Sequence, residues 1–188
     1  VIGAEAMTKF IDFTDRNTCV LFGDGAGAVV LESCEQGDGI LNSLLKSGDE
    51  NHIVIPAGGS RNVASEETLK ERLHNVQMNG LEVYKFTVTV VPDAVTEILD
   101  KCSLTVDDID KIIFHQANVR IVDAVCSKLN IDREKSFVNL QKYGNTSAAS
   151  IPIALSEAFK EGAVKKGDTI ILVGFGAGMT WGATALKL

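Results

Sequence analysis

The chain has 188 residues, 45% of them hydrophobic and 23% charged, which supplies one ordinary core and excludes a disordered chain. Its net charge of −7 argues against nucleic acid as the main partner, because phosphate binding needs a basic surface. Cys19, Cys34, Cys102 and Cys126 form no C-x-x-C pair and have no His at zinc-ligand spacing, so no metal is expected. They read as small buried hydrophobes of a reducing compartment. With no leader and no apolar run of membrane-spanning length, a cytoplasmic place is the expectation.

Val1 to Glu5 reads as a strand already in progress, without an initiator Met, so a fragment of a longer chain is expected. Val20 to Leu31, VLFGDGAGAVVL, predicts a buried strand pair or a bent strand around small residues. Gly39 to Leu45 predicts a further strand. His52 to Thr68 predicts a loop with a short helical turn after Ser65. Gly80 to Cys102 predicts a long helix, with Val83, Phe86, Val90, Ala94 and Ile98 at helical spacing. Pro92 should kink or divide it.

Lys111 to His115 predicts a short buried strand, and Val119 to Leu129 an amphipathic helix with Ile121, Val122, Val125 and Leu129 on one side. Ser136 to Leu140 predicts a strand, Ala148 to Glu161 a helix ended by Gly162, and Thr169 to Val173 a strand. A last strand, Thr180 to Leu188, follows Gly174-Phe175-Gly176-Ala177-Gly178. From about Gly39 on, this order argues for an α/β fold with a mostly parallel sheet flanked by helices.

In open α/β sheets, ligands bind beyond the carboxyl ends of strands. Three features fall there: His115, Asn145 in a Tyr-Gly-Asn-Thr-Ser loop, and the GFGAG segment. Each has a bland reading, as a strand-end His, a turn Asn or close-packed backbone. Gln116, Ala117 and Asn118 after His115 suggest that the strand opens into something wet or liganded. The GDGAGA segment does not read as a dinucleotide loop, because strand residues follow its glycines where that motif needs a helix.

Taken together, LFGDGAGAVVLE, FHQANVRI, YGNTSAASIPIAL and GFGAGMTWG, in this order, resemble the β-ketoacyl-acyl carrier protein synthase III family of the thiolase superfamily. The resemblance implies a five-layered αβαβα fold of two similar halves, each with a five-stranded sheet. Residues 1–42 would hold the last strands of the first half and residues 43–188 the second half. It implies a Cys-His-Asn site in which His115 and Asn145 match the family His and Asn. The nucleophilic Cys would lie upstream, outside this chain. Gly176 would supply a backbone oxyanion donor. Phe175 would border the acyl pocket, and Gly80, Tyr84 and Asn118 would line the tunnel for the pantetheine arm.

The implied reaction is a decarboxylative condensation of an acyl-CoA primer with malonyl-acyl carrier protein, without a cofactor. Lys85, Arg120 and Lys128 match a basic patch for acyl carrier protein, and the complete enzyme would be a homodimer. Ala177, where many members have Gly, and Leu81, where some have Asn, depart from the pattern. Two alternatives stay open: a non-catalytic folding or dimerisation unit, and another acyltransferase of the superfamily.

Overall fold

The computed structural model describes residues 1–188 and begins with an antiparallel ribbon, β1 (Ile2–Ala6) against β2 (Asp24–Ala28). The buried pair expected from Val20 to Leu31 is instead one half-exposed strand. Its glycines explain why. A Cβ on Gly3 would sit 2.3 Å from the Ala148 carbonyl oxygen, and one on Gly27 would sit 2.9 Å from the Pro152 Cβ. The GDGAGA pattern therefore serves close backbone packing on one face while its alternate residues look outward.

Strand β3 (Gly39–Ser47) extends the expected strand by two residues and carries a bulge between Ile40 and Asn42. The two-residue strands β4 (Ile53–Val54) and β5 (Gln77–Met78) pair across helix α1 (Glu66–Lys70). That helix is the turn expected after Ser65. Ser65 Oγ accepts from the Thr68 N–H at 3.1 Å and Thr68 Oγ1 accepts from the Ser65 N–H at 2.9 Å, a reciprocal cap.

Helix α2 (Gly80–Cys102) is not divided at Pro92. The missing Pro92 N–H leaves the Val88 carbonyl without its helical donor. Lys128 Nζ donates to that carbonyl at 3.3 Å. The buried stripe of α2 runs through Val83, Thr87, Val91, Ala94, Val95 and Ile98, so Phe86 and Val90 sit at its half-buried margin.

Strand β6 (Lys111–Phe114) and helix α3 (Val119–Leu129) follow as expected, except that Cys126 joins the buried face of α3 and Leu129 is half-buried. Ser136 to Leu140 does not form a strand. Ser136 makes only an isolated parallel bridge to Ile112, and Leu140–Tyr143 turns into the short helix α4. The buried Gln116 side chain takes the place of a strand neighbour there. Its Oε1 accepts from the Asn139 N–H at 3.0 Å and its Nε2 donates to the Phe114 carbonyl at 2.7 Å. Gln116 is thus a staple rather than part of a wet opening.

A 3-10 turn (Ser147–Ala149) leads into helix α5 (Ser150–Lys160), and β7 (Thr169–Gly176) and β8 (Thr180–Lys187) close the chain. The main sheet has the order β3-β8-β7-β6. It has four strands, not five, and only β6–β7 is parallel. The short turn from Gly176 to Thr180 can only return the chain antiparallel, so the sheet is mixed, as the family resemblance implies, but mostly antiparallel rather than mostly parallel.

Alternation along β6 and β7 sends Ile112, Phe114, Ile171 and Val173 to a core shared with α2 and α3. It sends Ile113 and Ile170 to the opposite face, against Ala154 and Ala158 of α5. The β1–β2 ribbon packs on the far side of α5. The layers run helices, sheet, helix, ribbon. Strand β3 pairs with β8 along its length, so the division expected at 42/43 falls inside it. No helix is long and apolar enough to cross a membrane.

Candidate active site

His115 follows β6, where its N–H donates to the Val173 carbonyl at 2.7 Å and extends the pairing with β7. The ring is buried and lies edge to face with Phe175, centroids 5.1 Å apart. Nδ1 sits 2.6 Å from Ser150 Oγ, at the start of α5. Nε2 has no protein partner. The side-chain polar atoms that are both enclosed and unpartnered are Glu50 Oε2 and Ser136 Oγ, so Nε2 is open to the adjoining cavity. Burial pushes the imidazole down to about 4, which keeps it neutral near pH 7.

Asn145 is held by its backbone. Its N–H donates to the Leu21 carbonyl at 2.8 Å, and its carbonyl accepts from the Gly23 N–H at 2.9 Å. Its side-chain Oδ1 accepts from the Ser147 N–H at 2.9 Å. A backbone N–H only donates, so the amide oxygen must face it and Nδ2 turns the other way, without a protein partner. The segment before β2 thus holds the α4–α5 loop at Asn145.

Two cavities meet at these residues, one of about 640 Å³ and one of about 1020 Å³. Both are lined by His115, Asn145, Phe175, Gly176, Phe22 and Ile53. The smaller one is also lined by Gly80, Tyr84 and Asn118, so all seven predicted catalytic and substrate positions border one space. Leu81 lines it as well. A Cβ on Gly176 would meet nothing within 4 Å, which leaves that wall open. Asn79 caps α2 and Asn118 caps α3, so both helix N-termini point their partial positive charge at the same cavity.

The predicted cations lie outside this lining. Lys85 is exposed and ion-paired with Glu82 at 2.7 Å. Arg120 is exposed in the first turn of α3, beside the lining residue Ile121. Lys128 is two turns further along, on the Val88 carbonyl. Lys85 and Arg120 flank the cavity on two helices, while Lys128 also has a structural contact.

No cysteine lines either cavity. All four are free thiols, but only Cys126 is buried and Cys34 is exposed, so the buried reading holds in full for one. Burial pushes the Cys102 and Cys126 thiols up, away from the thiolate a nucleophile needs. Sequence reasoning missed Ser150, Phe22 and the clamp on Asn145. The small polar residue opening α5 was the one available sign of Ser150. The clamp joins residues more than 120 positions apart and left no local sign. Chemically, the arrangement places a neutral imidazole and a neutral amide on one cavity, groups of the kind that can hold an anionic oxygen without giving up a proton.

Comparison with known proteins gives the family and the fold. The model for the C-terminal part of 3-oxoacyl-[acyl-carrier-protein] synthase III matches residues 99–188, and the model for 3-oxoacyl-[acyl-carrier-protein] synthase III matches residues 1–48. Two β-ketoacyl-[acyl-carrier-protein] synthases III, from Caldanaerobacter subterraneus subsp. tengcongensis and Symbiobacterium thermophilum, are each 52% identical over 189 residues. Each alignment covers 100% of this chain and 57% of the relative. The crystal structure of 3-oxoacyl-[acyl-carrier-protein] synthase III from Aquifex aeolicus superposes with a TM-score of 0.87 at 44% identity, covering 100% of this chain and 56% of that one. The fold defines a thiolase-like α/β protein. Within that class, the chain belongs to the 3-oxoacyl-[acyl-carrier-protein] synthase III family and spans a little over half the length of its curated relatives.

Proposed function

We propose that this chain is the oxyanion-binding part of a β-ketoacyl-acyl carrier protein synthase III, which condenses an acyl-CoA primer with malonyl-acyl carrier protein to start fatty-acid chains. The observation that carries this reading is the meeting of a neutral His115 and a clamped Asn145 at the junction of two cavities. In the proposed reaction the C–C bond to the malonyl carboxylate breaks and CO₂ leaves. The electron pair moves onto the thioester oxygen as an enolate. His115 Nε2–H and Asn145 Nδ2–H donate to that oxygen, each worth about 10²–10³ in rate. The enolate carbon then attacks the acyl carbon of an acyl-cysteine, forming the new C–C bond. The tetrahedral oxygen is held by backbone N–H groups, that of Gly176 among them, until the cysteine thiolate leaves. No strong base and no cofactor are needed, because decarboxylation supplies the carbanion.

In this reading the cysteine belongs to an upstream half, whose last strands are the β1–β2 ribbon, and the chain from β3 onward forms the second half. The 640 Å³ cavity takes the pantetheine arm along Gly80, Tyr84 and Asn118, and Phe175 borders the acyl group. Lys85, Arg120 and Lys128 meet the acidic carrier protein, which lets an acidic enzyme steer an acidic partner with a few local cations. The complete enzyme is a cytoplasmic homodimer. The test is decarboxylation of a malonyl thioester by this chain mixed with the upstream half of the Caldanaerobacter relative. His115→Ala and Asn145→Ala should each lower the rate by about 10²–10³. Unchanged rates in both variants would refute the assignment. Intact mass after incubation of this chain alone with acetyl-CoA should not change.

A second reading, a non-catalytic folding or dimerisation unit, draws on the exposed Val1, Ile2, Val30, Leu31 and Leu45. It predicts concentration-dependent self-association by sedimentation and no turnover in the mixture.

A further inference from the structure

The neutral imidazole of His115 has one N–H, and only the tautomer with the proton on Nε2 can donate into the cavity. Ser150 decides between the two tautomers. It is buried at 2% exposure, and its Oγ lies 2.6 Å from His115 Nδ1. The same oxygen faces the Gln116 backbone N–H at 3.4 Å. A backbone N–H can only donate, so Ser150 Oγ receives a proton from that side. Its own hydroxyl proton has no acceptor other than Nδ1 among the hydrogen bonds of the chain. If Nδ1 carried the proton instead, Ser150 Oγ would face two donors and its hydroxyl would be buried without an acceptor. Leaving a buried donor unmet is unfavourable, so the network selects the unprotonated Nδ1.

We propose that Ser150 is a positioning residue that donates its hydroxyl to His115 Nδ1 and so fixes the imidazole as the Nε2–H tautomer facing the cavity. The use of that proton rests on the oxyanion-donor reading given above. The tautomer itself does not. Phe175, edge to face with the ring, holds its plane while Ser150 sets its protonation. The Gln116 staple fixes the backbone whose N–H orients the serine.

The test is a long-range ¹H–¹⁵N spectrum of the 188-residue chain with labelled histidine, near pH 7 and without substrate. The chain has three histidines, and His52→Gln and His74→Gln assign the signals by elimination. The expected pattern for His115 is an unprotonated Nδ1 and a protonated Nε2. A protonated Nδ1 in the unsubstituted chain would overturn the proposal, whatever any variant does. Ser150→Ala should shift both ring nitrogens toward a mixture of tautomers, and Ser150→Thr, which keeps the hydroxyl, should restore the original pattern. An unchanged His115 pattern in a folded Ser150→Ala chain would also overturn it. An Nε2–H tautomer in a mixture that fails to decarboxylate malonyl thioester would support the serine's role and sink the proposed function alone.

Discussion

The β1–β2 ribbon (IGAEA and DGAGA) and the β6–β7 pair (KIIF and TIILVGFG) are built from different residues and end in opposite surroundings. Ile170, Ile171 and Val173 in β7 are fully buried, whereas Val30, just past β2, is 92% exposed and Leu31 is exposed as well. The β6–β7 pair has α2 and α3 on one face and α5 on the other. The ribbon has α5 and the Ser147–Ala149 turn on one face, while Ile2, Ala4, Asp24, Ala26 and Ala28 are exposed. Apolar β-formers therefore set strand preference in β6 and β7, whereas the ribbon's glycines let its backbone close on the start of α5, and burial follows how many layers the chain folds around each. The site lies where the two regions touch: His115 extends β6, and Asn145 is clamped by the segment leading into β2.

The sharpest way to break this contrast is to truncate one residue in each region. Ile171→Ala, in the shared core, should destabilise the chain by about 2–5 kcal/mol in urea unfolding. Val30→Ala should change it by about 0.5 kcal/mol or less. A comparable cost at Val30 would mean that the ribbon's open face is covered in solution, for example by a second copy.

The next effect is a pH dependence seated at the junction. His115 is held down to about 4 in the folded chain, below its ordinary 6.5. The unfolded chain thus binds the proton first as pH falls. The stability due to a neutral His115 is complete above about 6.5 and is lost as pH drops toward 4. Its size is on the order of 3 kcal/mol. His115→Gln should flatten that part of a stability-versus-pH curve between about pH 6.5 and 4. The same steepness in the variant would assign the effect to other groups.

A smaller effect tests how the ribbon docks. Gly3→Ala puts a methyl against the Ala148 carbonyl and should loosen the ribbon by about 1–3 kcal/mol. Hydrogen exchange should speed up at residues 2–6 and 24–28 and stay unchanged at 169–176. Faster exchange in β7 would mean that the two regions unfold as one unit.

What could be read in advance follows the same line. Helix α3 was legible to the residue, because its Asn118 cap and apolar stripe are both local. That His115, Asn145, Phe175 and Gly176 border one cavity was legible from their motifs and from lying where strands end. The single parallel pairing was not, since the order of strands is a non-local property. Nor was the loss of the Ser136 strand to the Gln116 staple, because a glutamine carries no sign of which backbone it will bind. Ser150 escaped for the same reason: only the fold brings it to His115, 35 positions away.

The smallest prediction concerns Pro92 and Lys128, on opposite sides of the groove between α2 and α3. The proline removes the N–H that would serve the Val88 carbonyl, and the lysine ammonium replaces it from the neighbouring helix. Lys128 is exposed, so water competes for the contact and the net effect is modest. Lys128→Met keeps the aliphatic stem and should cost about 0.5–1 kcal/mol. In a Pro92→Ala background the helix regains its own N–H donor to Val88, and the same change should then cost close to nothing. The double-mutant cycle therefore expects most of the single-variant cost to appear as coupling. Equal costs in both backgrounds would mean that the lysine stabilises α3 by its charge at the helix C-terminus, independently of the proline. Coupling would show instead that a residue placed in the basic patch by resemblance also holds together the two helices flanking the cavity. Weaker carrier-protein binding in Lys128→Met would then have to be separated from a shifted α2. Binding measured on Pro92→Ala/Lys128→Met, where the helix supplies its own donor, isolates the charge.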